Sequence, residues 1–175
     1  MLIYKDFITD DELCSDSYPS AYPEAYNGAI FEVSGQNIKE SGGIDESLIG
    51  GNASADGEDA DAGADDAAVT GINVVMTHKL CETGFAKKDF KVYMKDFLKK
   101  TIEYLKKEGK DDEIPAFKKG AQAAMVHIMD TFKDWVFYTG ESMNPEGGIV
   151  LGNYREDGIT PYFWYFKHAL VEEKF

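Results

Sequence analysis

The spacing of the hydrophobic residues changes twice along the chain, and this change restricts the fold more than any other feature. From residue 90 to residue 105, large apolar side chains recur every three or four positions, which is the period of an amphipathic helix. A second helical stripe runs from residue 114 to residue 132, with Pro115 in its first turn, where proline fits. Because only a short link around Gly109 separates the two stripes, they predict an antiparallel helical hairpin.

Segments with strand character lie on both sides of the predicted hairpin. Before it they cover residues 2–8, 29–33 and 69–76, and after it residues 135–138, 148–154 and 161–167. An order of strands, helical hairpin and strands predicts an α+β fold in a single domain over residues 1–175. Its mainly antiparallel β core would comprise residues 1–83 and 132–175, and the inserted hairpin about residues 84–131.

One long stretch between the predicted strands lacks the side chains that build a core. From Gly43 to Ala68 the sequence consists mostly of Gly, Ala, Asp and Ser. Burial of such side chains cannot offset the entropy that is lost when a segment becomes ordered. We therefore expect a long, mobile, acidic loop over about residues 40–68.

Charge is distributed unevenly along the chain. The formal net charge is −14, yet 11 lysines stand against 7 acidic residues between Lys87 and Lys119. The overall negative charge argues against nucleic acid as a partner. We expect no membrane insertion, because the sequence has no run of 18 apolar residues. We expect a cytoplasmic protein, because the first residues do not resemble a signal peptide.

The sequence contains no recognisable catalytic or metal-binding motif. The nucleophile-elbow, HExxH and Walker patterns are absent, and Cys14 and Cys81 are not spaced as zinc ligands. The acidic stretch fails as an EF-hand, because Gly63 and Ala64, or Ala60 in another register, replace required residues. We therefore expect no enzyme, no cofactor and no defined metal site. Weak calcium binding by the acidic loop is left open, without assigned ligands.

Two longer stretches resemble the signatures of one known family. IGGNASADGE at residues 49–58 is similar to the first signature of the translationally controlled tumour protein family. FKDWVFYTGESMNPEG at residues 132–147, with Asn153-Tyr154-Arg155 beyond it, is similar to the second. The resemblance covers essentially the whole chain and implies a tent-like β core with an inserted helical hairpin and a long mobile loop. Guanine-nucleotide-free chaperones of the same fold carry paired CxxC zinc motifs, which this chain lacks.

The resemblance implies a cytosolic interaction protein that promotes growth and survival by binding small GTPases such as Rheb, or translation elongation factors. Glu12 matches an acidic residue that the family uses in GTPase regulation, and Glu141 and Asn144 are candidates for the same face. A carboxylate there could compete for the Lys or Mg²⁺ that holds a nucleotide's phosphates. The alternatives are a plain surface turn residue for Glu12 and turn chemistry alone for Asn144.

The family is also described as binding calcium and tubulin, the latter through the helical region. An acidic polymer surface would then face the lysines of the first predicted helix, namely Lys87, Lys88, Lys91, Lys95, Lys99 and Lys100. The alternative is a solvated helix face.

The resemblance also marks a phosphorylation site. Ser47, in the stretch DESL, matches a kinase-target serine of the family, and a phosphate there would add about −1.5 to −2 charges. The alternative is a turn or capping hydroxyl.

Overall fold

The computed structural model describes residues 1–40 and 69–174. In these ranges the strands are β1 (Leu2–Asp6), β2 (Glu12–Ser15), β3 (Ser20–Ala21), β4 (Ile30–Ser34), β5 (Asn37–Glu40), β6 (Val69–Ile72), β7 (Cys81–Thr83), β8 (Val136–Thr139), β9 (Val150–Tyr154), β10 (Pro161–Phe166) and β11 (Leu170–Lys174). The α-helices are α1 (Asn73–Thr77), α2 (Lys87–Lys107) and α3 (Ile114–Asp130). Short 3-10 turns cover Glu24–Tyr26, Asp111–Glu113, Phe132–Asp134 and Lys167–Ala169. Residues 41–68 of the predicted acidic loop lie outside the described residues.

The described strands form antiparallel sheets, and the predicted α+β fold is confirmed. The largest sheet has six strands in the order β3-β4-β10-β9-β8-β7. A second has the order β11-β1-β2, and a third pairs β5 with β6. The helices α2 and α3 follow the two hydrophobic stripes, and Gly109 in their link has a φ of +72°. The inserted helical hairpin is therefore also confirmed.

Strand β10 shows how the layers of the core are arranged. Phe163 and Tyr165 belong to a buried cluster shared with the three-stranded sheet, whereas Trp164 and Phe166 belong to a second cluster shared with α2 and α3. Successive residues of a strand face opposite sides of its sheet. The six-stranded sheet therefore lies between the three-stranded sheet and the helical hairpin. Burial on both faces explains why β10 is an unbroken apolar run.

Helix α3 packs unusually closely against the chain before β4. A Cβ built on Gly120 would lie 1.8 Å from the carbonyl oxygen of Tyr26 and 2.9 Å from the Cβ of Ala29. The same Tyr26 carbonyl accepts a hydrogen bond of 2.8 Å from the Ala29 N–H. Gly120 thus lets the backbone of the hairpin contact the main chain of the β core directly.

The predicted strand over residues 69–76 is wrong in its second half. Strand β6 ends at Ile72 and α1 begins at Asn73, whose Oδ1 accepts 2.8 Å hydrogen bonds from the Gln36 and Val74 N–H groups. In a short apolar run, periodicity cannot distinguish a strand from a buried helical turn. The sequence also does not predict β2 and β11, because both are short edge strands that carry charged residues.

Candidate interaction site

The turn between β1 and β2 is organised around the carboxylate of Asp6, which is only 3% exposed. Its Oδ1 accepts a hydrogen bond from the Ile8 N–H at 2.9 Å, and its Oδ2 accepts from the Thr9 hydroxyl at 3.1 Å. Oδ2 also accepts a 2.6 Å bond from the N–H of Gly148, far away in the sequence. Asp6 therefore joins the turn that precedes Glu12 to the second family-like signature.

Glu12 lies at the start of β2, and its side chain is held by a buried histidine. Its Oε1 lies 2.9 Å from Nδ1 of His78, whose side chain is 1% exposed, while the Glu12 side chain is 41% exposed. The His78 Nε2 lies 3.0 Å from the hydroxyl of Tyr18. Because a carboxylate only accepts, Nδ1–H of the neutral ring donates to Glu12 and Nε2 accepts from Tyr18. The carboxylate thus has a fixed orientation while one side of it faces solvent.

Burial lowers the pKa of His78 below its ordinary value, and the adjacent Glu12 carboxylate opposes this shift. The histidine therefore stays neutral in the folded protein at neutral pH. A neutral ring can direct the Glu12 carboxylate by a hydrogen bond without cancelling its negative charge.

Glu141 forms an ion pair with Lys79, the residue that follows His78. Lys79 has a φ of +53°, and its Nζ lies 3.5 Å from Oε2 of Glu141, both side chains being exposed. Asp11 reaches the same turn, since its Oδ2 accepts hydrogen bonds from the Ser142 hydroxyl at 2.6 Å and from the Ser142 N–H at 3.3 Å. The structure therefore places the two predicted carboxylates on neighbouring turns.

Asn144 has a structural part in the turn at residues 140–147. Its Oδ1 accepts a 2.9 Å hydrogen bond from the Glu146 N–H, and its carbonyl oxygen accepts one of 3.1 Å from the Gly147 N–H. Met143, with a φ of +57° and 62% of its surface exposed, projects from this turn. We call the surface formed by Asp11, Glu12, Glu141 and Met143 the acidic face.

The turn at residues 140–147 also contacts helix α2. The hydroxyl of Tyr93 donates a hydrogen bond to the carbonyl oxygen of Gly147. Lys100 Nζ lies 3.4 Å from Oε1 of Glu146 and 3.2 Å from Oδ2 of Asp96. Lys100 therefore forms ion pairs with Asp96 and Glu146. The other five predicted tubulin-binding lysines are exposed, namely Lys87, Lys88, Lys91, Lys95 and Lys99.

The residues that hold the carboxylates in place were not predicted from the sequence. His78 and Tyr18 are 66 and 6 residues from Glu12, and neither forms a recognisable motif with it. No local pattern marks His78 or Lys79, because the short apolar stretch before them reads equally well as a strand or a helical turn. Only the fold brings them to Glu12 and Glu141.

Other predicted features have no defined site in the described part of the chain. Ser47 lies outside the described residues, as does most of the acidic loop considered for weak calcium binding. Among residues 1–40 and 69–174, no group of three His, Cys, Asp or Glu residues is arranged to hold a metal ion. In the same ranges every helix is too short or too polar to cross a bilayer. The expectations about cofactors and calcium stay predictions.

Acid is expected to destabilise the wild type more than a His78→Asn variant. The pKa of His78 is lowered in the folded state, so as the pH falls through about 6.5 the unfolded chain gains a proton that the folded chain takes up less readily. Stability present at neutral pH is therefore lost on acidification. Asn keeps an N–H donor near Glu12 and does not titrate.

Thermal unfolding from about pH 8 to about pH 5 measures this difference. A variant of the exposed His127, His127→Asn, is the matched control for replacing a histidine by asparagine. If the unfolding temperatures of the wild type and of His78→Asn fell equally with pH, the assignment of His78 as a buried neutral histidine would be wrong.

Comparison with known proteins identifies the family to which this chain is similar. The family model described as "Translationally controlled tumour protein" matches residues 1–171. A homologue from Branchiostoma belcheri is 47% identical over 175 residues, covering all of both chains, and the protein from Bos taurus is 42% identical, covering 99% of each. The names of these relatives do not denote an enzyme.

Solved structures agree with this assignment. The translationally controlled tumour-associated protein p23fyp from Schizosaccharomyces pombe matches with a TM-score of 0.79 and 40% identity, with both chains fully covered. The protein from Caenorhabditis elegans matches with a TM-score of 0.68 and 34% identity, covering 100% of this chain and 99% of that one. The chain therefore belongs to the translationally controlled tumour protein family.

Proposed function

We propose that this protein is a regulatory interaction protein that binds a small GTPase of the Rheb type, or a translation elongation factor, through its acidic face. Growth and survival would be the processes it regulates. The observation that carries the proposal is the geometry of Glu12, whose carboxylate is directed by a buried neutral histidine and remains 41% exposed.

The chemistry of the acidic face suits a cationic partner site. Asp11, Glu12 and Glu141 bring carboxylates to neighbouring turns, and exposed Met143 adds an adaptable apolar contact. GTPases hold nucleotide phosphates with a lysine and Mg²⁺. A rigidly presented carboxylate can accept a charge-assisted hydrogen bond from such a lysine and can coordinate Mg²⁺ through an oxygen. Nucleotide exchange on the partner would then respond to binding of this protein.

Replacing Glu12 by Gln is expected to weaken binding to a recombinant Rheb-type GTPase by about tenfold or more. Gln keeps the size of the side chain but loses the charge, and a hydrogen bond to a charged group is worth about 1.5–3 kcal/mol. Release of a fluorescent GDP analogue and the affinity of the complex are the two measurements. Glu156→Gln, at an exposed glutamate in the β9–β10 turn, is the matched control. Equal affinity and equal release for Glu12→Gln and wild type would refute the site.

A second candidate function is binding to microtubules through helix α2. The observation that favours it is the row of exposed lysines on α2, five of the six predicted. Co-sedimentation with microtubules is expected to fall steeply as salt rises, because exposed charges are screened beyond about 8 Å at physiological ionic strength. Reversing Lys87, Lys88 and Lys99 to Glu should remove binding at low salt. Binding that is insensitive to salt, or that survives the reversal, would count against this function.

A further inference from the structure

An open groove of about 410 Å³ runs along the helical hairpin between α2 and α3. Its floor is apolar and comes from both helices. Buried Phe117 and Ala121 lie at the bottom, and half-buried Leu98, Ile102 and Met125 line the walls. The fold therefore leaves the three apolar side chains of the walls partly exposed.

The rim of the groove is basic. Lys91 and Lys95 of α2 and Lys118 of α3 line it, and all three are exposed. None of them forms an ion pair with a described residue, in contrast to Lys100, which is paired twice. The described lining residues include no Asp or Glu, although the protein as a whole carries a net charge of −14.

The placement of these residues follows from helix geometry. Lys91, Lys95, Leu98 and Ile102 are spaced by four, three and four positions, so they form one stripe along α2. The charged part of this stripe lies toward the start of α2 and the apolar part toward its middle. Because α2 and α3 form an antiparallel hairpin, Lys118, near the start of α3, lies toward the other end of the groove. Positive charge therefore flanks the apolar floor at both ends.

We propose that this groove binds an acidic amphipathic helix of a partner protein. A helix docks in an apolar groove through side chains at positions i, i+3, i+4 and i+7. Leu or Met side chains at those positions would cover Leu98, Ile102 and Met125, and flanking carboxylates would meet the three lysines. Lysine stems pack on apolar surface while their ammonium groups stay in water, so the rim can contribute to both kinds of contact.

The groove combines an apolar floor with a basic rim, and this combination determines the choice of partner. A purely acidic polymer would satisfy the lysines but leave the apolar floor uncovered. A neutral apolar helix would cover the floor but forgo the charge complementarity. The proposal concerns a surface distinct from the acidic face and does not depend on GTPase binding.

A designed probe peptide tests the proposal with the full-length protein. The probe is a peptide of about four turns with Leu at i, i+3, i+4 and i+7, Glu at the flanking positions and Ala elsewhere, so that it can form a helix, and a scrambled peptide of the same composition is the control. Fluorescence anisotropy should give an affinity for the probe at least about tenfold higher than for the scrambled peptide or poly-glutamate. Raising the salt should weaken probe binding without abolishing it, because the apolar contact is not screened.

Variants then locate the binding site. Reversing Lys91, Lys95 and Lys118 to Glu is expected to weaken probe binding by about tenfold or more. The matched control reverses three other exposed lysines of the same helices, Lys99, Lys106 and Lys119, and should change the affinity much less. Met125→Gln, which keeps the side-chain length, should weaken binding without changing the unfolding temperature by more than a few degrees.

Three outcomes would overturn the proposal. The first is equal affinity for the probe and the scrambled peptide, or for the probe and poly-glutamate. The second is an equal loss of affinity in the groove and control lysine variants. The third is self-association of the protein, measured by sedimentation, that is removed by the groove variants, since the groove would then be occupied by a second copy of this chain.

Discussion

Replacing Gly120 by Ala is expected to lower the free energy of unfolding by about 2–4 kcal/mol. The added methyl group would lie 1.8 Å from the carbonyl oxygen of Tyr26, which is main chain and cannot rotate away. Alanine favours a helix over glycine by about 1 kcal/mol, but this gain is smaller than the cost of separating α3 from the chain before β4. Thermal unfolding should therefore show a decrease of about 5–15 °C.

Gly84→Ala is the control for the backbone effect of this substitution. A Cβ at Gly84 would have no atom within 4 Å, and its φ is outside the left-handed region. We expect a change within about 0.5 kcal/mol there. If Gly120→Ala were as stable as Gly84→Ala, the close contact between α3 and Tyr26 would be wrong.

Asp6→Asn is expected to have the second largest effect, a decrease in the free energy of unfolding of about 1–3 kcal/mol. Three donors converge on the Asp6 carboxylate, and an amide would turn one of its two oxygens into a further donor. Whichever way the amide is oriented, at least one N–H or hydroxyl group loses its acceptor. The buried N–H of Gly148 is the costliest to leave unpaired, because water cannot easily reach it.

Urea unfolding measures this loss, and Asp16→Asn is the matched control. Asp16 is an exposed aspartate at the end of β2, so its replacement should be nearly neutral. In the Asp6 variant, amide exchange should also become faster at Gly148 and in the turn at residues 140–147. A stable variant with unchanged exchange would show that Asp6 does not connect the two turns.

The long helices could be predicted from the sequence because their pattern is local. The stripe from Phe90 to Leu105 repeats over more than three turns, so the period itself specifies a helix and its buried face. The short helix α1 could not be predicted in this way. Its five residues read equally well as a strand, and its start depends on Asn73 accepting a hydrogen bond from the distant Gln36 N–H.

Only part of the candidate site could be predicted from the sequence, because some of its residues are brought together by the fold alone. Glu12 was identified because it matches an acidic residue of the family, and Glu141 because it lies in the stretch that resembles the second signature. His78, which directs Glu12, and Lys79, which pairs with Glu141, were not. Hydrogen bonds between residues so far apart in the sequence depend on how the layers pack, and no local spacing rule encodes that packing. Asn144 shows the converse, since its turn chemistry is local and its sequence context, Asn-Pro-Glu-Gly, indicated it directly.

The strand order also has a consequence for the synthesis of the protein. Strand β1 lies between β2 and β11, so one of its two neighbours leaves the ribosome long after it does. Contacts between such distant segments form slowly, because a large loop must close before they contribute any stability. The α2–α3 hairpin needs only local contacts and can fold while translation continues. The nascent chain therefore carries β1 with one unpaired edge, a potential site of aggregation, until β11 emerges.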